Sequence, residues 1–263
     1  MNPPLSRRGL FGAFGTVSVA TLLGACSSNG TTTSATVPTT GGGSASVQPT
    51  ISSSSGAMAL LDQANTCTLT PEMTEGPYYF DANAIRSDIR EDREGTEFRL
   101  ALRIQTGAEC APLSNAVVSI WHCDALGLYS RFGNPSTDRG GRGSDAATDD
   151  ERYLRGAQVT NADGIVEFVT IYPGWYTTRA VHIHIKVFID NQTEATTQLF
   201  FDESFTDTVY QAAPYNTHPG RNTRIDNDRI YTRADRNGTP TLITLANDDT
   251  AVLGAANIVI NQA

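Results

Sequence analysis

From Cys67 onward the apolar residues of this chain recur at every second position, and that spacing restricts the fold more than any other feature. Phe98, Leu100, Leu102 and Ile104 alternate with Arg99, Ala101 and Arg103, the pattern of a strand with one buried and one wet face. A second run, rich in β-branched residues, covers 116–121. Residues 159–160 and 165–171 flank Asn161-Ala162-Asp163-Gly164, where Asp-Gly predicts a hairpin turn. Further strands are expected at 181–189, 197–201, 229–232, 241–245 and 257–260, with one short helix at 203–213. Gly- and Asp-rich loops separate them, notably 134–150. Neither a βαβ alternation nor a Gly-rich dinucleotide fingerprint is present. The pattern predicts an all-β domain, built as a two-sheet sandwich or a barrel.

Composition narrows the function. Of 263 residues, 28 are acidic and 19 basic, a formal charge of −9, so a basic face for nucleic acid is not expected. Lys186 is the only lysine, and no G-x-x-x-x-G-K precedes it, which removes P-loop chemistry and leaves one residue for any Schiff base.

The first 60 residues read as address and tether. Arg7 and Arg8 precede a Gly-broken apolar stretch ending at Leu23-Gly24-Ala25-Cys26. A positive start, a short apolar stretch and small residues before a cut site describe an export signal over 1–25. The arginine pair resembles the twin-arginine type. Leu-Gly-Ala-Cys resembles a lipobox, with Cys26 as the lipidated residue. Residues 26–60 are mostly Ser, Thr, Gly and Ala, and no charge occurs between Arg8 and Asp62. Such a tract cannot bury enough apolar area to offset ordering, so a flexible tether is expected, with the folded domain at 61–263. The expected location is extracytoplasmic, with the membrane reached only through a lipid anchor. Beyond Cys26, the cysteines Cys67, Cys110 and Cys123 suit one disulfide and one free thiol in an oxidising compartment. Spacing leaves the pairing open.

Arg179-Ala180-Val181-His182-Ile183-His184-Ile185-Lys186-Val187 is the sharpest local feature. Residues two apart on a strand share a face, so His182 and His184 project together while the odd-numbered apolar residues enter the core. Two imidazoles on a rigid strand form half of a metal site. The same pattern also fits a pair of satisfied histidines. His122 and His218 lack paired neighbours and read as structural. Tyr129 stands in a turn after the second strand, and Pro173-Gly174 turns the chain so that Tyr176 returns beside the His-x-His strand.

Thr170-Ile171-Tyr172-Pro173-Gly174-Trp175-Tyr176, followed by 179–184, resembles the iron-binding signature of the intradiol ring-cleavage dioxygenases. Thr74-Glu75-Gly76-Pro77-Tyr78-Tyr79 and the run from Trp121 to Ser130 resemble two further motifs of that family, in the same order. The resemblance implies a two-sheet β-sandwich and one non-haem Fe(III) per chain, held by Tyr129, Tyr176, His182 and His184. It implies cleavage of an aromatic 1,2-diol of the catechol, hydroxyquinol or protocatechuate class with O2, giving a muconate-type diacid. Tyr176 is then the ligand that accepts a substrate proton. Arg179 is expected to stabilise negative charge on the ring, provided it sits in the turn before the strand. Gln198 takes a supporting polar position, and Gly76, Pro77, Tyr78 and Trp175 line the substrate. Alternatives on the same residues are a non-catalytic lipoprotein binding domain and a Zn or Cu site on the histidine pair. Ala180 stands where many family members have Pro. The tether replaces the helical segment that longer members use to dimerise, which leaves the oligomeric state open.

Overall fold

The computed structural model describes residues 35–38, 44–47, 56–64, 67–82, 84–132, 150–189, 192–236 and 238–261. The expected leader 1–25, Cys26 and most of the loop 134–150 lie outside the described residues. Inside the predicted tether, β1 (Ala35–Pro38) and β2 (Ser44–Val47) pair antiparallel, where composition predicts no secondary structure. A 3-10 turn, Gly56–Leu60, also falls in that tract. Ala57, Leu60 and Leu61 nevertheless bury against Ala101, Ile165, Leu253 and Ala255. The apolar run 57–61 therefore belongs to the folded unit, which starts a few residues before position 61.

The remaining strands are β3 (Glu97–Thr106), β4 (Ala111–Pro112), β5 (Val117–Trp121), β6 (Arg155–Val159), β7 (Ile165–Ile171), β8 (His182–Ile189), β9 (Gln192–Phe200), β10 (Thr241–Leu242), β11 (Thr244–Asn247) and β12 (Val252–Ile260). One sheet has the order β10-β9-β8-β5-β6. The other runs β11-β12-β3-β4, with β7 also on β3. Phe98, Leu100, Leu102 and Ile104 of β3 meet Val118 and Ile120 of β5 and Ile183, Ile185 and Val187 of β8 in one core. The architecture is an all-β sandwich, one of the two forms that period two predicts and the one that the resemblance implies. Among the described residues, two seven-residue α-helices, α1 (Glu203–Val209) and α2 (Arg229–Asp235), complete it.

Three local expectations fail for identifiable reasons. The Asn161–Gly164 turn does form, with the Asn161 side chain accepting from the Asp163 and Ile165 amides at 3.0 and 2.8 Å. It does not close a hairpin, however. β6 pairs with β5 in one sheet and β7 with β3 in the other, so the turn carries the chain between sheets. Residues 229–232 are the start of α2 rather than a strand, because Asp228 accepts from the Ile230 and Tyr231 amides and caps a helix. Ile230, Tyr231 and Ala234 then pack on Met73 and Phe200. The single strand expected at 241–245 splits into β10 and β11, which join different sheets on either side of buried Ile243.

Cys67 and Cys110 form the disulfide, with Cα atoms 5.8 Å apart, and Cys123 is a buried free thiol. The bridge ties the segment entering the domain to the β3–β4 turn.

Candidate active site

The outer face of the first sheet carries the site. In β8 the even-numbered His182, His184 and Lys186 point away from the core that takes Val181, Ile183, Ile185 and Val187. Across the sheet, His184 pairs with Trp121 of β5 and Gln198 of β9. The Trp121 indole lies flat on the His184 ring, at 4.7 Å and 7°. Tyr129 arrives on the turn after β5. Tyr176 arrives on the loop before β8, whose close packing requires Gly174, since a Cβ there would sit 2.4 Å from the Ala125 carbonyl oxygen.

These four side chains converge. The His182 Nδ1–H donates to the Ala180 carbonyl at 2.6 Å, so its Nε2 carries the lone pair. That nitrogen lies 3.1 Å from His184 Nε2 and 3.2 Å from Tyr176 Oη. The Tyr129 ring stands edge-on to Tyr176 at 5.7 Å and to His184 at 6.2 Å. The Tyr129 hydroxyl is buried beside that of Tyr176, and His184 Nδ1 is buried with no hydrogen-bond partner among the described residues.

Electrostatics favour neutral donors until a cation arrives. Burial, reinforced by Arg179, lowers His182 to about 3. Burial and the adjacent His182 hold His184 well below its ordinary value. Burial raises Tyr176 to about 12 against the pull of Arg179, and raises Tyr129 well above the usual phenol range. Without a cation, a neutral His184 can donate its Nε2–H to the His182 Nε2 lone pair across 3.1 Å; with a cation, both lone pairs can turn to it. That separation suits neighbouring ligands on an ion with bonds of about 2.1 Å. Two phenols and two imidazoles form a hard, partly anionic donor set that fits a ferric ion. Among the described residues no group of three or more His, Cys, Asp or Glu could hold a metal, so a site here depends on the tyrosines.

The residues around the donors fall into two groups. Arg179 does occupy the turn before β8. Its Nε donates to Asp228 at 3.0 Å, its Nη2 to Gln198 Oε1, and its Nη1 lies 3.2 Å from His182 Nε2. Gln198 in turn donates to the Thr74 carbonyl at 2.8 Å, which fixes the segment bearing Gly76, Pro77 and Tyr78 over the strand. Gly76 adopts φ +74°, and a Cβ on it would lie 3.4 Å from the His184 ring. Tyr78 stacks on Tyr129 at 4.8 Å. Trp175 departs from its expected role as a substrate wall. Its ring packs in the main core, stacks on His218 at 4.4 Å and donates to the His218 carbonyl at 2.8 Å. His122 is structural, with ring nitrogens 2.7 Å from the Cys123 carbonyl and from the Thr170 hydroxyl.

Sequence reasoning passed over three residues. Asp228 is fully buried, holds Arg179 and accepts from the Ala180 amide at 2.8 Å. The cap signal Asn227-Asp228 ahead of an apolar run could have found it. Lys186 continues the even-numbered face, pairs with Glu75 and sits 4.1 Å over the Tyr79 ring. Arg155 is buried beside Tyr129, and nothing in its local pattern marks it.

This sandwich with a Tyr–Tyr–His–His cluster is matched by the dioxygenase family model over residues 74–221, and the chain belongs to the intradiol ring-cleavage dioxygenases, a family typically dependent on non-haem iron. An intradiol ring-cleavage dioxygenase from Tetranychus urticae is 34% identical, with TM-score 0.68, over 74% of this chain and 95% of that one. Catechol 1,2-dioxygenase 1 of Acinetobacter lwoffii is 30% identical over 152 residues, or 49% of this chain and 45% of that protein. Chlorocatechol 1,2-dioxygenase of Rhodococcus opacus is 26% identical over 160 residues, 51% and 56% of the two chains. The chain thus matches about half the length of these curated relatives.

Proposed function

We propose that this chain is a non-haem ferric dioxygenase that cleaves an aromatic 1,2-diol with O2 to a muconate-type diacid. The observation that carries the reading is that His184 Nε2 and Tyr176 Oη both lie within 3.2 Å of His182 Nε2, with the Tyr129 ring edge-on to those of Tyr176 and His184. Tyr129, Tyr176, His182 and His184 would hold the ion, which supplies Lewis acidity and draws electron density from a bound diol. The protein's own contributions follow from the geometry. The Ala180 carbonyl fixes the His182 tautomer, leaving Nε2 as the donor. Tyr176, with the Arg179 guanidinium nearby, would take a proton from the diol, the role that the family resemblance implies for it. Arg179, locked by Asp228 and Gln198, holds its positive charge against that cluster at no reorganisation cost. Gly76 leaves room over His184, and Tyr78 makes an aromatic wall.

Catechol, hydroxyquinol and protocatechuate form the proposed substrate class. We further propose export through residues 1–25, lipidation at Cys26 and an extracytoplasmic location. The disulfide between Cys67 and Cys110 supports an oxidising compartment.

Purified protein loaded with iron is expected to be wine-red from phenolate-to-iron absorption, to change colour when catechol is added without O2, and to yield a ring-opened diacid with O2. Tyr129→Phe and His182→Ala should each lose iron, colour and turnover. Ring cleavage undiminished in an iron-free variant would refute the assignment. Mass spectrometry of the membrane fraction tests the anchor, and an unmodified Cys26 there would remove it.

A further inference from the structure

Arg155 opens β6 directly opposite Trp121 of β5, and its side chain is 2% exposed. No ion pair among the described residues includes it. Its guanidinium is instead enclosed by aromatic rings, 4.1 Å from the Phe80 centroid, 5.8 Å from Phe132 and 6.0 Å from Tyr129. Among the described residues, both hydrogen bonds of the guanidinium go to one residue. Nε donates to the Ser130 hydroxyl at 2.7 Å and Nη2 to the Ser130 carbonyl at 3.2 Å. Ser130 is the residue immediately after Tyr129.

A buried guanidinium without a carboxylate is costly, and an aliphatic side chain would fill the same box of rings at lower cost. An arginine there has a use if its charge and its forked geometry are both needed. The fork grips the backbone and side chain next to Tyr129, which limits rotation of the turn that presents the phenol. The charge lies over the ring of Tyr129, so it acts on the electrons that this ring would share with a metal. Tyr78 stacks on the same ring at 4.8 Å, which leaves Tyr129 held by a flat aromatic neighbour and a cation.

We propose that Arg155 is a positioning residue for Tyr129, clamping its turn through Ser130 and holding electron density on its ring. The proposal rests on the ferric site proposed above. It makes the two tyrosine ligands unequal, because Tyr176 has Arg179 hydrogen-bonded around the His182 edge of the cluster while Tyr129 has a cation over its ring.

Wild-type, Arg155→Met and Arg155→Lys chains loaded to equal iron content are compared by visible absorption and by resonance Raman spectra excited within the band. Moving an electron from the Tyr129 ring to the metal is harder with a cation over that ring. Removing the cation should therefore shift the absorption to longer wavelength and move one set of tyrosinate vibrations while the other stays. Arg155→Lys, which keeps the charge but cannot grip Ser130 at two points, should show a smaller shift in the same direction. If Arg155→Met does not fold, Arg155→Lys decides alone. Spectra superimposable on wild type in every folded variant would overturn the role of Arg155 and leave the ferric site intact. Iron-loaded wild type without any visible band would overturn the ferric-tyrosinate reading, and this proposal with it.

Discussion

Asp228→Asn is the substitution that separates charge from capping. The wild-type carboxylate is fully buried, with Oδ2 accepting from Arg179 Nε at 3.0 Å and the Ala180 amide at 2.8 Å. Oδ1 accepts from the first amides of α2 at 2.7 and 3.1 Å. Asparagine caps a helix as well as aspartate, so the cap survives. The charge does not, and the new amide NH2 faces two donors in place of an acceptor. Breaking a buried pair on one side costs about 3–5 kcal/mol. For a domain near 200 residues, each kcal/mol moves Tm by about 2–4 °C, which gives a drop of roughly 6–20 °C. The pH dependence supplies a second check. Burial pushes the Asp228 carboxyl upward, but Arg179 and the backbone amides outweigh it and hold the folded value below the ordinary 3.8. A depressed carboxylate contributes stability above its unfolded pKa and loses it as pH falls through the folded one. The difference between wild type and Asp228→Asn should therefore be constant from neutral pH down to about 5 and shrink below about 4. Thermal or urea melts across pH measure it. A variant within about 1 kcal/mol of wild type at pH 7, or a difference that does not diminish as the pH is lowered below about 4, would refute the argument.

Other outcomes follow from the same geometry. Gly174→Ala places a Cβ 2.4 Å from the Ala125 carbonyl oxygen and 2.5 Å from that of Asp124. It should cost about 1–3 kcal/mol and, by shifting the loop that carries Tyr176, weaken iron retention in a chelator competition. Cys67→Ser opens a 43-residue span, worth about 4 kcal/mol by chain entropy. Its melting temperature should be insensitive to reductant, whereas that of the wild type should fall towards it. Gly76→Ala forces a side chain into φ +74° within 3.4 Å of His184. It should cost about 1–2 kcal/mol and raise KM for the diol; an unchanged KM would move the substrate away from this residue.

The alternation of Phe98, Leu100, Leu102 and Ile104, and of His182 and His184 against Val181, Ile183 and Ile185, determined strands and the side each residue faces, because side-chain direction in a strand has a period of two. The donor residues, by contrast, were implied only by the resemblance of the runs 121–130 and 170–184 to motifs of the family. Partner choice was different. The Asn161–Gly164 turn is as readable as any in the chain, yet whether β6 meets β7 or β5 depends on which long strand offers an unpaired edge, and that is a property of the assembled sheets. Residues 229–232 look like a strand until Asp228 is seen capping them, and Asp228 matters to the site only because the fold returns α2 to Arg179. Arg155 shows the limit most clearly. Its neighbour in chemistry, Tyr129, lies 26 positions earlier, so only the pairing of β5 with β6 brings the cation to the ring. The sequence by itself determined which atoms are available as donors. The tertiary structure decided which charges surround them, because electrostatic influence follows distance in space and not along the chain.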